Sequence, residues 1–386
     1  MVDLKSKVLR TVGLASFLRS FGYGTLWSFV ILYLTTQVHL SLAFTGAYLL
    51  FSGLIGALMQ VIFGAYSDYI GRKIFLGIGQ LGQGISFIFV GVGMIFNFYL
   101  ILLGILLQSI FSGMIFSMFN ALIADVFTEE ERFKSFGIQR ALANFGWGIG
   151  PAIGGFIFEI HYFSISFILM GFMLSLVTIL MINIPETAKR SMSMKLKDIP
   201  SALKNKKFLI YSIAGFISFL IFGQLNSTYP YYENQVNGIP VSIIGLTWTM
   251  NGLMVAALQY PFARLANKKN AHYFLIYGII LYGFGYFMVV LLPTIEWMFL
   301  SMVVITFGEI IYSSSATTTA MNLAPEGEKG RYSGTFGLFT SVGRAAGPFY
   351  GGLIFSISLN YEIKWLIILI TAIISSFLYI LIFIKK

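Results

Sequence analysis

Apolar runs of about 20 residues or more recur along the 386-residue chain, each ended by a short polar break. A helix of about 20 residues crosses a ~30 Å hydrocarbon layer. The pattern predicts twelve helical spans, at residues 8–35, 43–66, 74–95, 98–122, 135–158, 162–184, 208–230, 240–263, 271–292, 296–321, 333–357 and 363–384. Most breaks are under ten residues, so neighbouring helices run antiparallel. The longest polar stretch divides the chain into an N-terminal six-helix bundle (1–184), a linker (185–207) and a C-terminal six-helix bundle (208–386). The fold class expected is an all-α polytopic membrane protein.

Composition narrows this further. Charged residues make up 10% and hydrophobic residues 57%, whereas a soluble domain carries about 25% charged residues. The net charge of +10 reflects topology rather than nucleic acid, because 21 of the 25 Lys and Arg fall on the side of the chain termini. Only Lys364 falls on the opposite face, and Arg19, Arg140 and Arg344 lie inside spans. Basic residues collect in cytoplasmic loops, so both termini are expected in the cytoplasm. Residues 1–10 are basic, and the apolar run that follows is long enough to span, which predicts no cleavable leader. A prokaryotic plasma membrane, a bilayer-embedded monomer and no cofactor are expected.

The absence of cysteine excludes disulfides, thiolate metal sites and cysteine nucleophiles. His39, His161 and His272 have no companions at metal-ligand spacing. The chain has no phosphate-binding loop, H-E-x-x-H or G-x-S-x-G motif, which argues against an ATP-driven pump or an intramembrane enzyme.

A shift of 197 residues aligns segment 125–156 with segment 322–353 without a gap. The shared positions include Glu129 and Glu326, Glu131 and Glu328, Gly137 and Gly334, and Gly146 and Gly343. Gly150-Pro151 and Gly154-Gly155 then match Gly347-Pro348 and Gly351-Gly352. Two halves repeated in the same orientation predict a substrate site near the membrane midplane, between the halves.

Residues 64–73, between spans 2 and 3, read Gly-Ala-Tyr-Ser-Asp-Tyr-Ile-Gly-Arg-Lys. Gly64, Asp68, Gly71, Arg72 and Lys73 match the G-x-L-x-D-R-x-G-R-K motif of the major facilitator superfamily, with Tyr66 and Tyr69 as departures. The chain thus resembles a twelve-helix member of that superfamily, in its drug/proton antiporter branch. Gly146, Gly150, Pro151, Gly154 and Gly155 are similar to the antiporter-type motif of span 5, and residues 259–264 and 307–310 look like multidrug-transporter sequence. The family's usual span 4 arginine falls near Ile105 and is absent. The resemblance implies that Asp68 latches onto the N-terminus of span 11, where the helix dipole favours an anion.

Of the fifteen acids, only Glu309 is read near mid-span. A charge there costs about 2.5–3.5 kcal/mol on insertion scales, and intramembrane acids mark proton relays. Thr306, Tyr312 and Ser313 share its helical face. Arg19 and Arg344 sit about eleven residues into their spans, where each can pair with Glu309 or hold an anion. Arg140, near a span end, is read with Arg344 as a buried charge partner, or as a residue that snorkels to the interface. By the resemblance, spans 1, 4, 7 and 10 line the cavity. They offer Arg19, Tyr23, Trp27, Gln108, Phe111, Met114, Met118, Gln224, Asn226, Tyr229, Tyr312 and Ser313, a mixture of aromatic and Met side chains that suits varied apolar ligands. Ordinary helix packing is the competing account of these residues. The glutamates 129–131 are read as a solvated loop cluster, and the basic linker as contacting anionic headgroups.

The sequence therefore reads as a secondary active transporter exchanging amphipathic organic compounds for protons, with Glu309 and Asp68 in the coupling. Alternatives are a proton-coupled symporter or uniporter of an organic anion, sugar or other metabolite, and a non-transporting ligand sensor or scaffold.

Overall fold

The computed structural model describes residues 2–182, 184, 186–187, 202–266, 270–325 and 328–384, and at some helical positions, Asp68 among them, it describes the backbone alone. Among the described residues the fold is all helical. The helices are α1 (Val2–Thr25), α2 (Val30–Thr36), α3 (Leu42–Ile70), α4 (Arg72–Phe96), α5 (Phe98–Val126), α6 (Glu129–Glu159) and α7 (Phe163–Ile182). After the linker come α8 (Lys206–Phe222), α9 (Thr228–Gln235), α10 (Val241–Leu265), α11 (Ala271–Met288), α12 (Ile295–Asn322), α13 (Lys329–Ser356) and α14 (Tyr361–Ile384).

Among the described residues, ten helical stretches are long and apolar enough to cross a membrane. The expected spans 8–35 and 333–357 are not among them. The first ends as a regular helix at Thr25 and carries Lys5, Lys7, Arg10 and Arg19 through α1, while α13 carries Lys329, Arg331 and Arg344.

Packing divides the chain into two compact units, Met1–Val30 with Phe51–Met194 and Ile31–Leu50 with Lys195–Lys386. The first unit has a core of Val12, Leu76, Met114, Ile115, Met118, Phe119 and Leu122. In the second unit a belt of rings joins Phe222, Tyr282, Tyr286, Trp365, Tyr312 and Tyr379.

The internal repeat has a structural counterpart inside each unit. Span 1 is not one continuous helix: a 3-10 turn at Trp27–Phe29 separates α1 from α2. A second 3-10 turn at Gly223–Asn226 separates α8 from α9. In each case a glycine-rich helix lies against the break. A side chain at Gly150 would strike Gly24 and the Thr25 nitrogen, and one at Gly154 would strike the Thr25 carbonyl. In the second unit Gly347 meets Gly223, and Gly351 meets the Gln224 side chain. Backbone-to-backbone contact of this kind is open only to glycine or other very small residues. Gln224 fastens the second break, donating to the Leu220 carbonyl at 2.6 Å and the Gly347 carbonyl at 2.9 Å.

The expected loop between spans 2 and 3 shrinks to Gly71, at φ 129° and ψ 149°. That conformation belongs to glycine.

Candidate functional site

Glu309 lies in the middle of α12 and faces α10. Asn251 donates to its carboxylate at 3.0 Å and to the Thr306 hydroxyl at 3.0 Å. Two turns along the same seam, Ser313 donates to the Gln259 carbonyl at 3.1 Å, and the Gln259 amide donates to Ser314 at 3.1 Å. Side-chain hydrogen bonds thus tie α10 to α12 along a polar line inside otherwise apolar helices. Sequence reasoning missed Asn251, whose only available signal was a polar residue inside an apolar run.

The predicted face around Glu309 splits. Thr306 and Ser313 join it on the α10 side, but Tyr312 turns toward α14, where its hydroxyl meets that of Tyr379 at 2.8 Å. Tyr312 is fully buried, so it packs the bundle rather than lining a cavity. Arg344 is exposed on α13, with its guanidinium 4.9 Å from the Phe219 ring centroid. It acts on Glu309 through space but is not in ion-pair contact with it. Arg140 is exposed on α6. Neither arginine is buried, so neither is the buried charge partner expected.

In the first unit, Arg19 donates to the Ser112 hydroxyl at 3.2 Å and lies 5.9 Å from the Tyr23 ring centroid. No described acid pairs with it. Tyr23 and Trp27 sit 5.6 Å apart, and Trp27 continues to Phe87 at 5.5 Å and Phe167 at 6.3 Å. A half-buried cation beside an aromatic cluster is brought together here from α1, the turn after it, α4, α5 and α7. The other cavity candidates mostly join the packing. Met114 and Met118 lie in the apolar core, Phe111 packs against it, Gln108 and Tyr229 are buried, and Gln224 is the strut already described. Asn226, in the second break, stays half-buried.

The charged motif also has a geometry of its own. Arg72 pairs with Asp125 at the end of α5, and the Thr187 hydroxyl donates to the same carboxylate at 3.1 Å. Glu186 accepts from the backbone nitrogens of Arg72 and Lys73 at 2.9 and 3.2 Å, which caps α4 with an anion where its dipole favours one. A side chain at Gly71 would collide with that carboxylate. Gly64 is an ordinary position inside α3, Lys73 is exposed, and the predicted latch at Asp68 involves a side chain outside the described residues. The same holds for linker residues 188–201. The Arg72 and Asp125 side chains retain only 13% and 16% of their exposure. Arg72→Ala should therefore cost about 3 kcal/mol, the low end for breaking a buried pair. Thermal unfolding in detergent should show the drop, and a second change, Asp125→Ala, should recover part of it because no carboxylate is then left unpaired.

Glu131, read as a solvated loop acid, stays well exposed but belongs to a helix. It stands in the first turn of α6, accepts from the Thr128 backbone nitrogen at 3.0 Å and pairs with Lys5 at 2.7 Å. Lys5 and Thr128 hold its carboxyl down to about 2. Because folding lowers this pKa, the contact is complete above the ordinary carboxylate range and disappears as pH falls through about 2. Carboxyl-carbon NMR should find that low titration point, and Lys5→Ala should return it toward the ordinary range.

A model of the Major Facilitator Superfamily matches residues 12–348, and the chain belongs to that superfamily. It is similar to Multidrug resistance protein 1 of Bacillus subtilis, at 27% identity over 340 residues and 84% of each chain. It is also similar to a Na+, Li+, K+/H+ antiporter of Planococcus maritimus, at 24% identity over 380 residues, 89% of this chain and 88% of that one. Among solved structures, the nucleoside transporter NupG has the same fold, with a TM-score of 0.82 and 14% identity over 97% of this chain and 100% of that one. The protein is an integral plasma-membrane transporter of prokaryotic type.

Proposed function

We propose that this transporter works by alternating access and exports amphipathic organic compounds in exchange for protons, acting as a monomer and catalysing no covalent chemistry. The observation that carries the reading is Glu309, a mid-helix carboxylate held by the neutral amide of Asn251, with no cation at ion-pair distance among the described residues. A carboxyl so placed can take up a proton without breaking a salt bridge. In one state of the cycle Glu309 is deprotonated and attracts a cationic or polar substrate group, and in the other it is protonated for the return. Tyr23, Trp27 and Phe87 supply an aromatic surface suited to flat apolar ligands. Asp68 and the Arg72 network belong to the gating of that cycle. Relatives with multidrug-resistance and cation/proton-antiport names support this direction of reading.

Arg19 favours a second reading. A cation inside a span, with a serine hydroxyl and a tyrosine ring as its neighbours, can hold a substrate carboxylate or phosphate. Proteoliposomes with an imposed pH gradient separate the two readings. Gradient-driven movement of ethidium, a lipophilic cation, is the expected result. Ethidium that ignores the gradient while organic anions compete for binding would favour the second reading.

A further inference from the structure

The span predicted to end at residue 230 leaves Glu233 in a loop, yet the helix continues as α9 to Gln235 and Glu233 is 1% exposed. Asn237 donates to one carboxylate oxygen at 2.8 Å. The other oxygen, Oε1, is buried without a hydrogen-bond partner among the described residues. One turn earlier, the Tyr229 hydroxyl is also buried and unpartnered, close to Thr247 and Ser301 without hydrogen-bond geometry to either. Two orphaned polar atoms one helical turn apart cost about 1–3 kcal/mol each if nothing serves them, and such groups call for a proton, a water or a function.

Beyond Tyr229 the polar groups continue toward Glu309. The Tyr229 and Tyr286 ring centroids are 6.1 Å apart, the Tyr286 hydroxyl donates to that of Tyr282 at 3.2 Å, and the Tyr282 backbone packs against Gly308, the residue before Glu309. All five residues lie in the second unit. Asn237, after α9, donates to Glu233, and Tyr229 and Tyr232 flank it on α9; Tyr361 and Glu362 on α14 lie near Tyr232. Lys364 on α14 is held by the Phe355 carbonyl and the Tyr361 ring, with no ion pair to Glu233.

We propose that Glu233 is a second proton-carrying carboxyl, connected through Tyr229, Tyr286 and Tyr282 to Glu309. It lies at the far end of the span formed by α8 and α9, remote from basic Lys204, Lys206 and Lys207 at its start, hence on the side from which protons would enter. The transfer balances as a hydroxyl chain. Glu233 gives its proton toward Tyr229, each phenol passes on its own hydroxyl proton as it receives another, and Glu309 gains one. Of the relay's links only Tyr286 to Tyr282 is a direct hydrogen bond; waters between Glu233 Oε1 and the Tyr229 hydroxyl, between Tyr229 and Tyr286, and between Tyr282 and Glu309 would close the other three. This inference rests on Glu309 as the coupling acid.

The test uses Glu233→Gln, Tyr286→Phe and Glu309→Gln in the full-length protein, in proteoliposomes carrying ethidium. Glu233→Gln and Tyr286→Phe should each slow gradient-driven transport at least tenfold. Ethidium exchange at equal pH on both sides should stay within twofold of the wild type, which a misfolded variant would not show. Glu233→Asp should restore part of the driven rate. Wild-type coupling in Glu233→Gln, together with lost coupling in Glu309→Gln, would overturn the relay and leave the proposed function standing. Infrared titration in the Glu309→Gln background tests Glu233 without any substrate. A carboxylic C=O band that titrates reversibly and disappears in Glu233→Gln is expected, and the absence of such a band would overturn the proposal. If the wild type ignores the gradient, the coupling role of Glu309 falls, and the infrared result alone decides whether Glu233 carries a proton.

Discussion

Glu309→Gln should slow gradient-driven ethidium transport by about 5–150-fold while leaving the protein folded. The glutamine side chain keeps the length of glutamate and presents a carbonyl oxygen where Asn251 donates, so the α10–α12 seam survives. What is lost is the ability to gain and release a proton. Coupling between two ligands on one protein is typically about 1–3 kcal/mol, or about 5–150-fold, so the driven rate should fall by a factor in that range. Exchange at equal pH needs no net proton movement, so it should fall less than the driven rate, and only as far as the lost carboxylate weakens ethidium binding. An unfolded variant would lose both activities, and size-exclusion behaviour in detergent identifies that case. Driven transport at the wild-type rate in Glu309→Gln would remove the carboxylate from the coupling.

Gly154→Val should damage the protein more than almost any other single glycine change. Any Cβ at this position meets the Thr25 carbonyl and the Phe29 ring, and backbone cannot swing aside as a long side chain can. Overpacking of this kind costs about 1–3 kcal/mol, with β-branching adding to the clash. The pseudo-symmetric Gly351→Val meets the Gln224 amide and Thr228 instead, and should also destabilise. The contrast is Gly137→Ala in the same helix, where an added Cβ meets nothing within 4 Å. There the gain in helix propensity, up to about 1 kcal/mol, should raise the unfolding temperature. Equal midpoints for the Gly154 and Gly137 variants in a thermal scan would refute the account of close helix contact.

This contrast also changes how the antiporter-like motif reads. Gly146, Gly150 and Gly154 pack α6 onto the end of α1, and Gly343, Gly347 and Gly351 pack α13 onto the end of α8. Close packing beside a broken helix accounts for the spacing in both units, so the glycine pattern alone does not carry a direction of transport. The charged loop motif was legible in part as well. Gly71 and Arg72 read correctly as a turn and a helix entry, but the anion on the α4 N-terminus is Glu186, from a segment more than a hundred positions away.

The sequence by itself determined the membrane-embedded helical class, the superfamily, the internal repeat and the one acid at mid-span. These follow from hydropathy, spacing and short motifs, which are local properties of the chain. Only the tertiary structure decided which glycines touch backbone, that Met114, Met118 and Tyr312 pack the interior, and that Arg140 and Arg344 are exposed. It alone brought Asn251 to Glu309 and buried Glu233 beside Tyr229. The physical reason is that helical periodicity says which residues share a face, whereas the neighbour that face meets depends on how distant helices cross. Glu233 reads as a loop residue because the apolar run ends before it, whereas the helix continues to Gln235 and its packed neighbours bury it.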